Sequence, residues 1–377
     1  MENKLYKLEA LRGFAALYVV IHHSLPHTMM FAGINFAYLI RFGQEAVILF
    51  FLVSGFVIHY SFSQGSDKSF RSYFLKRFTR IYIPLLLVFL LSFLIISFEQ
   101  NAFVHLSWRE LLGNLFMLQD WVDAKPYVIV NGFLGNDPLW SLSYEWWFYM
   151  AFYPLAVYVK DATRRDNIVF GIAILASLLY LVYPHFFVRL PMYMAIWWVG
   201  VNLSQLYILK DLRLANVRKP LSVLGIVAGV LTANAALQAS AGKDVTFGFH
   251  PVLELRHFGF AICAVIFAFY WRNAGWVYFD KMLKPFLVVA PISYVIYISH
   301  FHLFSEASYL SFIGNSQVEW ILYFTIVLFA SYLIERRIYP ILRKPVMKWL
   351  GKSHLSDVYS YTAQKTQTSV ESQRAVR

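Results

Sequence analysis

Long apolar runs alternate with short polar stretches along most of the chain. A helix that crosses a bilayer needs about 20 predominantly apolar residues, whereas a strand of a membrane barrel alternates over only about 10. The apolar runs have the helical length, so the pattern predicts an all-α integral membrane protein, a bundle of about ten transmembrane helices. The predicted spans are residues 12–32, 44–62, 81–98, 139–159, 168–187, 190–209, 220–240, 255–271, 286–304 and 318–335.

Composition and charge support this class of protein. The 377 residues are 59% hydrophobic and 14% charged, whereas soluble proteins are about 45–50% apolar and about 25% charged. The net charge is +12, and most of the 33 lysines and arginines fall on one side of the predicted spans. The positive-inside rule then places both termini in the cytoplasm. The basic charge therefore reflects topology in a lipid bilayer, and no nucleic-acid partner is expected. The exceptions, on the predicted outer side, are Arg41, Arg109, Lys125, Arg189, Lys243 and Arg256.

The chain divides into one membrane domain and one polar tail. The domain is predicted over residues 1–352, and the Ser-, Thr- and Gln-rich tail over residues 353–377 is expected to be disordered on the cytoplasmic side. The longest predicted external connection is residues 99–138, and its apolar piece ELLGNLFMLQDWV either lies in the interface or re-enters the bilayer. Cys263 is the single cysteine, which argues against disulfides and thiolate metal sites, and no metal is expected.

Three arginines lie near the predicted cytoplasmic face. Arg12 stands at the inner mouth of the first span, and the stretch SFRSYFLKRFTRIYIP precedes the third. Within that stretch, Arg77 and Arg80 are spaced i, i+3, so their guanidiniums share one helical face. Guanidinium forks bind phosphate groups in a bidentate manner. The alternative is that these residues are ordinary members of the positive-inside pattern.

Three further ionisable residues are predicted at similar depth in the outer half. His23 follows Arg12 by 11 residues, which is about 16 Å along a helix, while His22 points about 100° away from it. Glu145 lies in PLWSLSYEWWFYM and His300 in ISYVIYISHFHLF. Ionisable groups inside a bilayer usually mark functional sites, and a histidine paired with a carboxylate makes a general base. The alternatives are a structural ion pair for Glu145 and satisfied core histidines.

These stretches also resemble the motifs of a known family, the membrane-bound acyltransferase-3 family. LEALRGFAALYVVIHH resembles its first-span signature, in which a histidine follows the arginine by eleven residues, and this selects His23 over His22. FFLVSGFVI, FLKRFTRIYIP, LWSLSYEWWFY and SYVIYISH resemble its later motifs, and Glu335 closes the last predicted span. The motifs occur in the family's order over residues 8–340.

The resemblance implies an O-acyltransferase of the bacterial inner membrane. It would transfer an acyl group, usually acetyl, from cytoplasmic acyl-CoA to a hydroxyl of a carbohydrate such as an exopolysaccharide, O-antigen lipopolysaccharide or lipid-linked sugar. In that interpretation Arg12, Arg77 and Arg80 bind the phosphates of the coenzyme. His23 acts as general base or transient acyl acceptor, together with Glu145 and His300. The alternative function is a glycolipid transporter or flippase that carries out no chemistry.

Overall fold

The computed structural model describes residues 5–25, 30–31, 34–35 and 41–350. The predicted tail over residues 353–377 and the end of the first predicted span lie outside these residues. The described chain is almost entirely helical, with one two-stranded antiparallel ladder, β1 (Met30–Phe31) and β2 (Ile34–Asn35). The helices are α1 (Tyr6–Ser24), α2 (Gly43–Gln64), α3 (Phe70–Glu99), α4 (Trp108–Leu115), α5 (Trp140–Tyr158), α6 (Ala162–Tyr180), α7 (Phe186–Ile208), α8 (Arg218–Ser240), α9 (Val252–Asn273), α10 (Phe279–Met282), α11 (Ser293–His300) and α12 (Ser316–Tyr332).

Helical structure lies at each predicted span, and six helices among the described residues are long and apolar enough to cross a membrane. The total of ten spans and the side on which the termini lie stay predictions. Leu86, Leu90 and Leu94 form an outward stripe on α3 and are 49%, 55% and 51% exposed. Such a stripe is expected where lipid, rather than water, contacts the helix. The six helices are Gly43–Gln64, Phe70–Glu99, Phe186–Ile208, Leu214–Ser240, Val252–Asn273 and Ser316–Leu350.

Two helices begin earlier than the hydropathy pattern predicts. Helix α1 starts at Tyr6, so Arg12 lies inside a helix rather than at its first residue. Helix α3 starts at Phe70 because the Ser69 hydroxyl caps it by accepting from the Ser72 amide. Arg77 and Arg80 are therefore both carried on α3 itself. Apolarity marks where a helix enters lipid, but caps decide where the helix begins.

The ninth predicted span, residues 286–304, is a broken helix. Two 3₁₀ segments, Lys284–Val288 and Ala290–Ile292, precede the eight residues of α11, and a π-helical turn, Phe301–Ser305, follows it. Each 3₁₀ segment carries a proline at its start. Proline lacks the N–H that a continuous helix needs and disfavours α-helical geometry at the preceding residue. The span therefore consists of short pieces rather than one continuous helix.

Helices α2 and α7 cross at two glycines. A Cβ added to Gly55 would lie 2.0 Å from the carbonyl oxygen of Trp197, and one added to Gly200 would lie 2.1 Å from that of Leu52. The Cα of Gly55 is itself one of the atoms nearest to Gly200. Small residues allow helix backbones to approach closely in membrane proteins. This crossing lets α2 and α7 share the aromatic core, in which Trp197 and Trp198 are fully buried.

We expect Gly55→Ala and Gly200→Ala to destabilise the protein by about 1–3 kcal/mol each, because the added methyl group meets backbone atoms that cannot move independently. Thermal unfolding in detergent measures the effect. Gly225→Ala and Gly229→Ala on α8 are the controls, since nothing lies within 4 Å of a Cβ at either position. Alanine is the better helix former, so the controls should be neutral or slightly stabilising. Equal melting temperatures in all four variants would contradict the close crossing.

Candidate functional site

A cavity of about 170 Å³ opens between α1, α2, α3, α5 and α11. It brings together the three sequence-predicted arginines and the predicted glutamate, although they come from three different helices. Glu145 is the one acid among its described lining residues. The cavity is therefore a basic chamber with polar walls inside the bundle. Its polar and charged lining residues are Arg12, Ser54, Arg77, Arg80, Ser141, Glu145, Tyr149, Ser293, Tyr294 and Tyr297.

The guanidinium of Arg77 is held by aromatic rings rather than by carboxylates. It lies 5.6 Å from the ring centroid of Tyr73 and 5.8 Å from that of Tyr149. Its buried Nε has no hydrogen-bond partner among the described residues. Cation–π contact orients a guanidinium but leaves its N–H donors unused. Arg77 therefore retains donors for an anion in the cavity.

The other two arginines each have one acidic partner. Arg12 pairs with Glu9 at 3.0 Å and donates weakly to the Ser293 hydroxyl at 3.5 Å. Arg80 forms an ion pair with Glu335 and stacks 5.3 Å from the ring centroid of Tyr294. Each guanidinium carries five N–H donors, so one carboxylate does not exhaust either side chain.

Glu145 belongs to a hydroxyl network and not to an ion pair. Its Oε1 accepts from the Ser54 hydroxyl at 2.6 Å and from the Tyr149 hydroxyl one helical turn away. Trp197 Nε1 donates to the same serine at 3.2 Å. Among the described residues, neither a histidine nor an arginine lies within ion-pair distance of Glu145. The alternative of a structural ion pair for Glu145 is therefore not observed, although Arg12 lines the same cavity.

The two predicted histidines contact each other where α1 and α11 pack. The ring centroids of His23 and His300 are 5.3 Å apart. His300 is fully buried, and its Nδ1 lies 2.7 Å from the Tyr297 carbonyl oxygen. A carbonyl only accepts, so Nδ1 carries the proton and Nε2 carries the lone pair. That Nε2 is buried and has no hydrogen-bond partner among the described residues. His300 is thus held in the tautomer of a base.

The predicted common depth of Glu145 and the histidines is not observed. Ser141 on α5 and Tyr297 on α11 hydrogen-bond at 2.7 Å and mark one level of these two antiparallel helices. Glu145 lies one turn further along α5, and His300 lies about one turn further along α11 in the opposite direction. At 1.5 Å per residue the two are separated by about 10 Å along the helix axes. Glu145 is therefore grouped with the arginines, and Tyr297 lies between that group and the histidines.

Comparison with known proteins agrees with the motifs. The model of the acyltransferase domain family Acyl_transf_3 matches residues 5–336. The acyltransferase MdmB of Streptomyces mycarofaciens is 36% identical to the chain over 156 residues, which cover 40% of the chain and 38% of that relative. The alignment thus spans well under half the length of the curated relative. No solved structure shows significant similarity to the chain.

A second polar cluster was not predicted as a site from the sequence. Asp120 lies in the connection between α4 and α5 and contacts Lys125 at 2.8 Å and Arg189 of α7 at 2.9 Å. All three side chains are fully buried. Burial raises the pKa of the Asp120 carboxyl, but Lys125 and Arg189 outweigh burial and hold that pKa below its usual value. The available signal was the presence of Lys125 and Arg189 on the predicted outer side, against the positive-inside trend.

Arg189 extends this cluster across four helices. Its Nη1 donates to the Tyr180 hydroxyl at 2.9 Å, and that hydroxyl donates to Glu254 at 2.7 Å. Tyr144 donates to Asp120 at 2.6 Å. The cluster therefore ties the connection before α5 to α5, α6, α7 and α9, and it fixes the level at which α5 begins.

Arg189→Ala is expected to destabilise the fold by about 3–5 kcal/mol, because Asp120 loses one of its two charged partners and the buried Tyr180 hydroxyl loses a donor. Thermal unfolding in detergent provides the measurement. Arg213→Ala is the matched control, since Arg213 pairs with Asp211 but is 71% exposed, and exposed pairs contribute only about 0–1 kcal/mol. If the Arg189 variant were as stable as this control, the ion pairs of Arg189 would not contribute to the stability of the fold.

Proposed function

Because the chain belongs to the Acyl_transf_3 family of acyltransferases, we propose that it transfers an acetyl group from acetyl-CoA to a hydroxyl of a cell-surface or lipid-linked carbohydrate. The observation that carries this proposal is the cavity that the three predicted arginines line together. The ring of Tyr297 lies between this cavity and the contacting pair of His23 and His300. Acyl transfer as such follows from the family. The donor, the acetyl group and the carbohydrate acceptor are our assignment.

The proposed topology gives the two substrates opposite entrances. Ten spans with both termini in the cytoplasm place the three arginines toward the cytoplasm, where acyl-CoA is made, and the histidine pair toward the outer half. A bacterial inner membrane fits this arrangement, with an exopolysaccharide or lipopolysaccharide precursor as the acceptor. The basic residues clustered on one side of the spans support this orientation.

The arginines suit the donor because coenzyme A carries a 3′-phosphate and a pyrophosphate. Charge-assisted hydrogen bonds from guanidinium to phosphate are short, strong and often bidentate. Arg77 has unused donors, while Arg80 shares its guanidinium with Glu335. With the phosphates bound there, the pantetheine arm extends past Tyr297 and brings the thioester carbonyl to the histidines.

The histidine pair supplies the proton transfers of the reaction. A sugar hydroxyl is a poor nucleophile until a base removes its proton as the new C–O bond forms. The tetrahedral intermediate then breaks the C–S bond, and the coenzyme leaves as a thiolate that takes up the proton. We assign the base to His23, positioned by His300, whose Nδ1 is fixed by the Tyr297 carbonyl. General acid–base catalysis of this kind contributes about 10²–10⁴-fold.

Glu145 takes a different part in this proposal from the one that its sequence motif suggests. Its hydroxyl partners Ser54 and Tyr149 link it to the ring that stacks on Arg77. The carboxylate therefore helps to position the donor cavity instead of orienting a histidine. A glycolipid flippase would also use a polar cavity, but membership of an acyltransferase family favours the enzyme.

Arg77→Ala should raise the KM for acetyl-CoA roughly 10- to 100-fold, since a charge-assisted contact contributes about 1.5–3 kcal/mol. Initial rates of coenzyme A release at varied donor concentration measure this effect. Arg77→Lys should recover only part of the loss, because lysine lacks the planar fork. Lys76→Ala is the control: Lys76 is exposed on the same helix and does not line the cavity. An unchanged donor KM in the Arg77 variant would reject the assignment.

His23→Ala and His300→Ala should each lower acyl transfer by about 10²–10⁴-fold while acetyl-CoA binding and abundance in the membrane persist. His22→Ala should be milder, because the His22 ring packs against Gly43 rather than against His300. Transfer of labelled acetyl to surface glycans, and donor binding to the purified protein, are measured for each variant. Full transfer by the His23 variant would remove it as the base. Labelled protein trapped without acceptor would instead identify an acyl-enzyme.

A further inference from the structure

A second cavity of about 170 Å³ lies beside the first, further along α2 and α5 toward the C-terminal ends of both helices. It is bounded by the last turns of α2 and α5, the start of α6, the side of α7 and the turn before α3. Tyr149 lines the first cavity and Phe152 the second. The two cavities are separated by an aromatic layer in which Tyr73 lies 6.1 Å from Phe152 and donates to the Tyr149 carbonyl at 3.0 Å. The second cavity is therefore distinct from the proposed donor site.

The second cavity is positively charged. Lys68 and Arg165 line it, and no acidic residue is found among its described lining residues. Within the part of the chain that the structure describes, neither cation lies within 4.0 Å of a carboxylate. The nearest acids in sequence are engaged elsewhere: Asp67 accepts from the Ser69 amide at 2.9 Å, and Asp166 accepts from Trp198 Nε1 at 2.7 Å. The two cations therefore make no direct ion pair among the described residues, around a space large enough for a small anionic group.

The remaining walls provide one polar contact and a large apolar surface. His59 lines the cavity, and its Nδ1 lies 2.9 Å from the Ser204 hydroxyl. Its Nε2 has no hydrogen-bond partner among the described residues. Phe62, Phe152 and Trp198 form apolar walls beside it. Because α2 and α5 end and α6 begins here, the cavity lies at the level where lipid headgroups meet the protein. Basic pockets between transmembrane helices at this level are typical sites for anionic headgroups.

We propose that this second cavity binds the phosphate group of an amphiphilic phosphate ester. Lys68 and Arg165 contact the phosphate oxygens, His59 donates through Nε2, and the apolar part of the ligand packs against Phe152 and Trp198. The chemistry is shared by an anionic phospholipid of the membrane and by a soluble phosphate ester. None of the residues that line it also lines the first cavity, so its test does not use the residues of the proposed acyl transfer.

The test is thermal unfolding of the full-length protein in detergent. The protein is titrated separately with phosphatidylglycerol and with inorganic pyrophosphate, and phosphatidylcholine, which has no net charge, is the comparison lipid. We expect saturable protection by an anionic ligand in the parent protein. The double variant Lys68→Ala/Arg165→Ala should raise the half-saturating concentration about tenfold or more, since each lost contact is charge-assisted. The control is Lys160→Ala/Arg164→Ala, which removes the same charge from exposed positions at the same end of the bundle that do not line the cavity.

The outcomes separate the possible ligand sources. A lipid site is supported if phosphatidylglycerol protects the parent and the control variant but not the cavity variant. A soluble phosphate ester is supported if pyrophosphate alone gives this result. Equal titrations in the parent and the cavity variant would overturn the proposal, as would equal losses in both double variants. If the cavity variant fails to fold, Ala156→Phe fills the cavity without changing the charge. That variant should also lose the protection, and full protection in it would overturn the proposal.

Discussion

The cost of burying charge among apolar helices is the constraint on which this structure depends. An ionised side chain with no partner is so unfavourable there that it is neutralised, paired or placed on a cavity. In the cluster of Asp120, Lys125 and Arg189, each charged side chain contacts one of opposite sign. The guanidinium of Arg77 shows the reverse, because aromatic rings hold it and its Nε is unused. The completely paired cluster therefore acts as a structural joint, and the incompletely paired one is suited to an external anion.

These two clusters depend on each other through α5. The Asp120 cluster fixes where α5 begins, since Tyr144 in its first turns donates to Asp120. Glu145, the next residue, and Tyr149, one turn beyond it, line the cavity, and Tyr149 stacks on Arg77. A displacement of α5 by one residue would rotate these side chains by about 100° and move them about 1.5 Å. The buried ion cluster in the connection before α5 therefore helps to keep the shape of the cavity that the three arginines line.

Much of this arrangement could be predicted from local patterns in the sequence, and the remainder depends on long-range contacts. The i, i+3 spacing of Arg77 and Arg80 placed both on one helical face, and the structure has them line one cavity. The predicted depth of Glu145 was wrong. Counting residues from the edge of an apolar run does not give the offset between α5 and α11 along their axes. The pair between Asp120 and Arg189 joins residues 69 positions apart, and no local period reports such a contact. Hydropathy also could not show that prolines break the ninth span.

The position of α1 along the broken ninth span depends on a close backbone contact. A Cβ at Gly13 would lie 2.1 Å from the Phe286 carbonyl oxygen, so only glycine lets α1 approach the 3₁₀ segment this closely. The contact brings Arg12 within 3.5 Å of Ser293 at the start of α11. Since α1 is a continuous helix from there, it also sets His23 beside the far end of α11, at His300. The eleven-residue spacing of Arg12 and His23 thus becomes a fixed distance between the proposed phosphate-binding end and the proposed proton-transfer end. The glycine that follows the arginine is needed for the same reason, because it holds α1 against the helix that carries the second histidine.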